Sequence, residues 1–329
     1  MPDGLVRSAS LSIDGPVILV HGGAWDIPNT ATEDHRDGLK TAVAAGRRSL
    51  ESGESAVDVA ADVVAAMESH GAFDAGRGAM LNQDGRAQLD AGIMDGSSLD
   101  YGSVMAVERL ADPIRVARRL MDAGEGQVRI LAGEGAERFA VAEGFTLIDN
   151  DELISERERE RFEALRGQVD DVHTSQSFLP GVTNRRSGGG HDTVGCVVRD
   201  ENGHVAAATS TGGTPFKPAG RVGDSPLPGS GFYADGEAAV SCTGWGEAIA
   251  AVVLAHDVVR RILDHGDLES AVTSRLRAMH DRIRNPHGEG ARGGLIALSE
   301  SAVGWAYTTP RMARAIWAPG PGTVHLQLS

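Results

Sequence analysis

The sequence predicts an α+β fold in layers, and three observations carry that reading. Short apolar runs of strand character stand near both ends of the chain: Pro16 to Val20 at one, Gly294 to Leu298 and Ala302 to Thr308 at the other. Alanine-rich segments of helical character lie between them. In the middle, the turn Asp200-Glu201-Asn202-Gly203 joins two apolar runs, and Asn-Gly in that setting is a strong hairpin signal. Strands at both ends with helix pairs between them suggest stacked layers around a shared core. The sequence shows no internal repeat.

Taken in order, residues 1–15 read as a loose leader. Pro16 to Val20 is a buried strand that His21-Gly22-Gly23 should end. A phosphate loop is the competing reading of those glycines, but no Lys-Ser/Thr pair follows them. Glu33 to Ser52 reads as a helix stopped by Gly53. Ser55-Ala56-Val57-Asp58 has the form of a capping box for a second helix reaching about Ser69. Residues 71–90 are glycine-rich and irregular. Gly102 to Glu108 is a strand, and Asp112-Pro113 opens a helix with Asp as cap and Pro at its first position. Gly133 to Glu143 is another helix. Glu152 to Arg166, with its Glu-Arg alternation, reads as a solvated helix, and residues from about 167 to 192 as a flexible linker. The linker runs into the hairpin's first strand, with Val194, Cys196 and Val198 on one face and Thr193, Gly195 and Val197 on the other. The second strand is His204 to Ser210. Residues 214–236, dense in Gly and Pro, should form an ordered loop. After a strand at Ala238 to Cys242, Gly246 to His265 reads as one long helix with Ile249, Val252, Val253, Val259, Ile262 and Leu263 on its apolar side. Leu268 to Ile283 is the next helix, and two final strands follow.

With 329 residues, 41% of them hydrophobic and 23% charged, the chain can bury a sizeable core. A net charge of −15 argues against nucleic-acid binding, which demands basic patches. Only Lys40 and Lys217 are lysines, a bias that fits either a salt-adapted organism or a GC-rich genome. No run of 18 apolar residues predicts a membrane span, and no basic-then-apolar start predicts a signal peptide. Cys196 and Cys242 sit in apolar runs as core residues, so a reduced, cytoplasmic setting is expected. His35, His70, His204 and His256 lack metal-ligand spacing, and Gly133-Glu134-Gly135 lacks the context of a dinucleotide site.

The stretch His191-Asp192-Thr193-Val194-Gly195 resembles the precursor cleavage site of the N-terminal-nucleophile hydrolases of the plant-type asparaginase, isoaspartyl peptidase and glycosylasparaginase family. Further blocks follow in that family's order. They are Val20-His21-Gly22-Gly23-Ala24, Phe73-Asp74-Ala75-Gly76-Arg77-Gly78 and Leu89-Asp90-Ala91-Gly92-Ile93-Met94-Asp95-Gly96. After the hairpin come Ala208-Thr209-Ser210-Thr211-Gly212-Gly213 and Gly220-Arg221-Val222-Gly223-Asp224-Ser225-Pro226. Thr243-Gly244-Trp245-Gly246-Glu247 and Gly293-Gly294-Leu295-Ile296 complete the series. The resemblance covers nearly the whole chain except about residues 146–189 and the termini. It implies a four-layer αββα sandwich and a single domain of residues 1–329 that cleaves itself into 1–192 and 193–329. It also implies a dimer of such cleaved units and no organic cofactor.

A threonine hydroxyl is a weak nucleophile without a base. A chain-terminal threonine carries one, its own α-amine, whose reference pKa is about 8. Internal Thr193 has none until the Asp192–Thr193 bond breaks. By position, the resemblance implies that Thr211 hydrogen-bonds the nucleophile, and that Thr243 and Gly244 form the oxyanion hole. It implies that Arg221 clamps the substrate α-carboxylate, which its planar fork suits. Asp224 would accept the substrate α-ammonium, and the Gly246 carbonyl would make a further contact. Met67 to Arg77 matches a loop whose backbone carbonyls hold a sodium ion in the family. The bland reading of Thr193 is an ordinary strand threonine, and of Arg221 and Asp224 an ion pair within one loop.

The activity implied is hydrolysis of the side-chain amide of L-asparagine, or of the isopeptide bond of β-aspartyl dipeptides. Asp192 stands where the asparaginase branch has glycine, so His191-Asp192-Thr193 looks like the glycosylasparaginase branch. His21-Gly22-Gly23 and the Phe73 block look like the other. An unprocessed binding protein on the same fold is the alternative of another class. Asp74 replaces the family's usual asparagine, and Trp245 is an unusually large residue for its place, either narrowing the pocket mouth or packing outward.

Overall fold

The computed structural model describes residues 5–166, 193–320 and 324–328. The linker and Asp192 therefore lie outside the described residues. The strands are β1 Arg7–Ser12, β2 Val17–Trp25, β3 Leu89–Asp95, β4 Tyr101–Val107, β5 Ile130–Ala132, β6 Val194–Arg199, β7 Val205–Thr211, β8 Phe232–Asp235, β9 Ala238–Gly244, β10 Gly293–Leu298, β11 Ala302–Tyr307, β12 Arg311–Trp317 and β13 Val324–Gln327. The helices are α1 Thr32–Glu51, α2 Ala56–His70, α3 Pro113–Ala123, α4 Gly133–Ala142, α5 Glu156–Arg166, α6 Gly246–Val252, α7 Leu254–His265 and α8 Leu268–Arg282.

The strands form an eight-stranded sheet, β13-β12-β2-β6-β7-β3-β4-β5, and a five-stranded sheet, β1-β11-β10-β9-β8. Every pairing is antiparallel except β4 with β5. The β6–β7 hairpin is inserted between β2 and β3, so strands from after Thr193 sit between strands from well before it.

The alternation in β6 decides the layers. Val194, Cys196 and Val198 pack with Leu39 and Val43 of α1 and with Val59 and Val63 of α2. Val197 points the other way, into a core shared by both sheets with Leu19, Phe232, Ile296 and Trp305. A third cluster sets Val258, Val259 and Ile262 of α7 and Leu276 of α8 on Val240 and Leu295. Each sheet thus buries both faces, one against helices and one against the other sheet, which is why nearly every central strand position is apolar or small.

Local signals explain most element starts. Ser55 Oγ accepts the Asp58 amide at the head of α2 (3.3 Å) and donates to the Asp58 carboxylate (2.6 Å). Asp267 caps α8 through the Ser270 amide at 2.9 Å. In the hairpin turn, Asp200 Oδ1 takes the amides of Asn202 and His204, and Gly203 adopts φ +83°.

Several expectations need correction. The leader contains β1, which pairs with β11. His21-Gly22-Gly23 does not end a strand but lies inside β2, where β6 and β12 flank it on both sides. β8 falls in a stretch read as loop, β3 starts at the end of one read as irregular, and β12 and β13 follow the strands expected to be last. Asp112 occupies the cap position of α3, but its carboxylate takes the Ser69 hydroxyl instead (3.0 Å). The α5 region starts later, after a 3-10 turn at Asn150–Leu153, and is not wholly solvated. Glu158 is buried there between Arg157 and Arg161. The long helix from Gly246 is two helices. Val253 breaks it with φ +51°, and the first amides of α7 turn to loop carbonyls, Ala255 to Ser230 (3.3 Å) and His256 to Gly229 (2.9 Å). Val253 and Leu263 are accordingly exposed, not on an apolar face.

Candidate active site

Sheet register builds the site. Val194 pairs with Ser210, so the next residue back, Thr193, lies beside Thr211. Thr211 in turn pairs with Asp90 on β3. Cross-strand partners share a face, so Thr193, Thr211 and Asp90 form a row across three strands at the end of the hairpin. Thr193 Oγ1 donates to Thr211 Oγ1 at 3.2 Å, and Thr211 Oγ1 accepts the Gly213 amide at 2.9 Å. Both threonines are buried. Gly213, at φ +89°, turns the chain back so that its amide can reach that hydroxyl. Asp74 braces the same turn: its carbonyl accepts the Gly212 amide (2.8 Å) and its Oδ1 the Met80 amide (2.7 Å).

Beneath Thr193 the sheets meet in a polar contact. His21 Nε2 lies 2.8 Å from Ser241 Oγ, which lies 3.0 Å from Thr209 Oγ1, and Thr209 donates to the Gly231 carbonyl (3.2 Å). Burial keeps the His21 ring neutral, moving its pKa down to about 3 against a backbone hydrogen bond with Thr193. Gly195 makes this contact possible, since a Cβ there would lie 1.9 Å from Ser241 Oγ and 2.4 Å from His21 Nε2.

The loop of residues 214–231 and the start of α6 bring in the charged groups. Arg221 is largely buried and paired in bidentate fashion with Glu247: Nε to Oε1 at 2.9 Å and Nη2 to Oε2 at 2.8 Å. Asp224 is 3% exposed, and its Oδ2 has no hydrogen-bond partner among the described residues. Burial raises its pKa to about 7, with Arg221 pulling it down and Glu247 and Asp90 pushing it further up. Gly246 lies against both, where a Cβ would be 2.9 Å from Asp224 Oδ1 and 3.1 Å from Arg221 Nη2. Thr243, at the end of β9, is fully buried, and its Oγ1 likewise lacks a partner among the described residues. Gly244 follows at φ +137°, tight against Gly293. Trp245 is half-buried and packs against the α7–α8 cluster.

The structure therefore brings Arg221, Asp224 and Gly246 into one group and Thr193 with Thr211 into another. Asp90 links them: it pairs with Thr211, and its carboxyl, raised by burial, feels the charges of Lys217 and Arg221.

Four contacts escape sequence reasoning. Glu247 stands in a recognised block, yet its pairing with Arg221 crosses 26 positions. Lys217 is fully buried, donates to the Gln88 carbonyl (2.7 Å) and lies 3.8 Å from Asp90; its signal was being one of two lysines in the chain. Glu68 is buried and accepts the Ser210 hydroxyl at 2.6 Å, and burial raises its pKa well above the usual range. The fourth is the His21–Ser241 contact.

Of the stretch Met67 to Arg77 expected as a loop, Met67 to His70 forms the last turn of α2; the chain leaves it through Gly71 at φ +82° and folds back, the Arg77 amide bonding to the Glu68 carbonyl at 2.8 Å. The carbonyls of Gly71 and Phe73 converge: a Cβ on Gly78 would sit 2.6 Å and 3.0 Å from them. No group of three or more His, Cys, Asp or Glu side chains that could hold a metal occurs among the described residues.

Comparison with known proteins fits this arrangement. Residues 14–323 match the model of the asparaginase family. The chain is 36% identical over 315 residues to the isoaspartyl peptidase/L-asparaginase of Danio rerio, covering 95% of each chain. It is 38% identical to the protein of that name from Xenopus laevis, covering 87% of this chain and 86% of that one. To the isoaspartyl peptidase of Salmonella typhimurium it is 35% identical, covering 91% and 94%. With a match running through both sheets and every residue of the site, the chain belongs to the asparaginase family.

Proposed function

We propose that this protein is a self-processing amidohydrolase. It splits the side-chain amide of L-asparagine and the isopeptide bond of β-aspartyl dipeptides, with Thr193 as nucleophile. The observation that carries the reading is the buried Thr193–Thr211 hydroxyl pair, set at the mouth of a hairpin directly after the segment to be cut. The relatives' names support the same substrates. The stacking of helices, sheet, sheet and helices supports the four-layer sandwich of the N-terminal-nucleophile hydrolases.

In the first step the Thr193 hydroxyl attacks the Asp192 carbonyl, and the ester so formed is hydrolysed, leaving chains 1–192 and 193–329. The free α-amine of Thr193 then serves as base for the same hydroxyl. Arg221 holds the substrate α-carboxylate, and Asp224 the α-ammonium with its unpartnered Oδ2. The Gly246 carbonyl adds a contact to that ammonium. Thr193 Oγ attacks the side-chain carbonyl, and the oxyanion meets the unpartnered Thr243 hydroxyl and the Gly244 amide. Ammonia, or the amine of the next residue, leaves with the proton the α-amine took up. Water then hydrolyses the acyl-enzyme to release aspartate. The convergent carbonyls of Gly71 and Phe73 suit a sodium ion in the Met67 to Arg77 loop, where it would brace the turn held by Asp74. The assembly we propose is a dimer of cleaved units, to be measured by light scattering.

Mass spectrometry of purified wild type, incubated to completion, tests the reading together with initial rates. Fragments 1–192 and 193–329 are expected. Asparagine and β-aspartyl dipeptides should be hydrolysed. Glutamine should react poorly, since one more methylene carries its carbonyl past an oxyanion hole at a fixed distance from the clamp. An intact chain with full activity would overturn the mechanism, and a clear preference for glycosylated asparagine would make it a glycosylasparaginase. An intact chain that binds aspartate without turnover would make it a binding protein.

A further inference from the structure

We propose that Glu247 is a positioning residue, which fixes the guanidinium plane of Arg221 so that a substrate α-carboxylate meets it along one edge only. The inference rests on the reading of Arg221 as the α-carboxylate clamp. Glu247 occupies the whole edge formed by Nε and Nη2, at 2.9 and 2.8 Å. The edge left for a second carboxylate is the one between Nη1 and Nη2. Two glycines keep it bare: a Cβ on Gly223 would be 3.0 Å from Nη1 and 3.3 Å from Nη2, and one on Gly246 would be 3.1 Å from Nη2.

Glu247 is itself held. Burial, which pushes the Glu247 carboxyl up, is outweighed by Arg221, which keeps it ionised below the usual range. The pair is also graded in exposure, 13% for the Arg221 side chain and 48% for Glu247. Glu247 thus reaches the guanidinium from the solvent side and leaves the inner edge to substrate. A free arginine side chain has many rotamers to lose on binding an anion. Here that freedom is already gone, so binding of the α-carboxylate loses less entropy. The oxyanion hole lies on other residues, so the chemical step should not sense Glu247.

The test is kcat and KM for asparagine, and the inhibition constant of the product L-aspartate, for wild type, Glu247→Ala, Glu247→Gln and Arg221→Ala. Fragment yield is recorded for each. Glu247→Ala should raise KM and the aspartate inhibition constant together, on the order of tenfold, with kcat within about threefold and both fragments formed. Glu247→Gln keeps one acceptor for Nε and should rise less. Should Glu247→Ala fail to mature, Glu247→Gln decides alone. Unchanged or tighter aspartate binding in the glutamate variants, or a fall in kcat matching the rise in KM, overturns the proposal. If Arg221→Ala weakens aspartate binding and the glutamate variants do not, the clamp stands and only Glu247's role is lost. If Arg221→Ala itself leaves binding unchanged, the clamp reading falls with it.

Discussion

Replacing Asp224 with asparagine should make the fold more stable while it disables the site. The carboxyl is 3% exposed, and burial moves its pKa from 3.8 to about 7. Below pH 3.8 the folded and unfolded chains both carry the proton, and the group adds no cost. As pH rises, the unfolded chain sheds the proton first, so folding becomes steadily less favourable until pH passes the folded value near 7. The cost comes to about 2 kcal/mol at pH 5 and about 4 kcal/mol at pH 8, where it levels off. Asparagine has no proton to lose, so Asp224→Asn should gain about 2 kcal/mol more at pH 8 than at pH 5. That difference is free of any pH-independent effect of the amide itself. Urea unfolding at the two pH values measures it, best in a Thr193→Ala background, which on the proposed mechanism should stay one chain and unfold as one. An equal gain at both pH values, or a loss that deepens at pH 8, would refute the claim that Asp224 is held against its own ionisation. In the Thr193 protein the same substitution removes the proposed acceptor for the substrate ammonium, so activity should fall as stability rises.

Three further outcomes are expected. Arg221→Ala should still yield both fragments yet lose roughly 30- to 100-fold in kcat/KM on asparagine, the lower part of the range for breaking a charge pair because Glu247 is half-exposed; wild-type turnover in a cleaved variant would remove Arg221 from substrate binding. KM for asparagine should climb about tenfold per pH unit below pH 7 as Asp224 takes up its proton, and a KM flat from pH 7 to 5 would show that Asp224 is not the ammonium's partner. Gly195→Ala should lower the melting temperature, because its Cβ would fall 1.9 Å from Ser241 Oγ; Ser241→Ala in the same chain should restore part of the loss.

What could be read in the sequence was local. The starts of α2 and α8 and the β6–β7 turn follow from side chains that bond within four residues, and all three were visible. β1 was hidden because Arg7–Ser12 is a half-exposed edge strand of mixed polarity whose partner lies about 300 residues away. The break at Val253 was hidden because loop carbonyls from Gly229 and Ser230, not a local breaker, draw the chain out of the helix. The site divides the same way. Thr193, Thr211, Arg221, Asp224 and Thr243 could be named from their blocks. That Asp90 completes a row with the two threonines, or that Glu247 holds Arg221, depends on sheet register and on a loop crossing to α6, which no short window contains.

The hairpin β6–β7 is threaded between β2 and β3, and β12 closes the far side of β2. A cut before Thr193 would therefore nick the molecule without dividing it, since β2 of the first fragment lies between β6 and β12 of the second, and β3 of the first borders β7 of the second. Assembly would be possible once, while the chain is whole and its strands find each other as parts of one polymer. After denaturation the two pieces would have to meet again by diffusion, at a rate set by their concentration, and each alone would display unpaired central strands that favour aggregation. Maturation would thus act as a ratchet: the uncut chain can refold, and the working enzyme endures only by the slowness with which it comes apart.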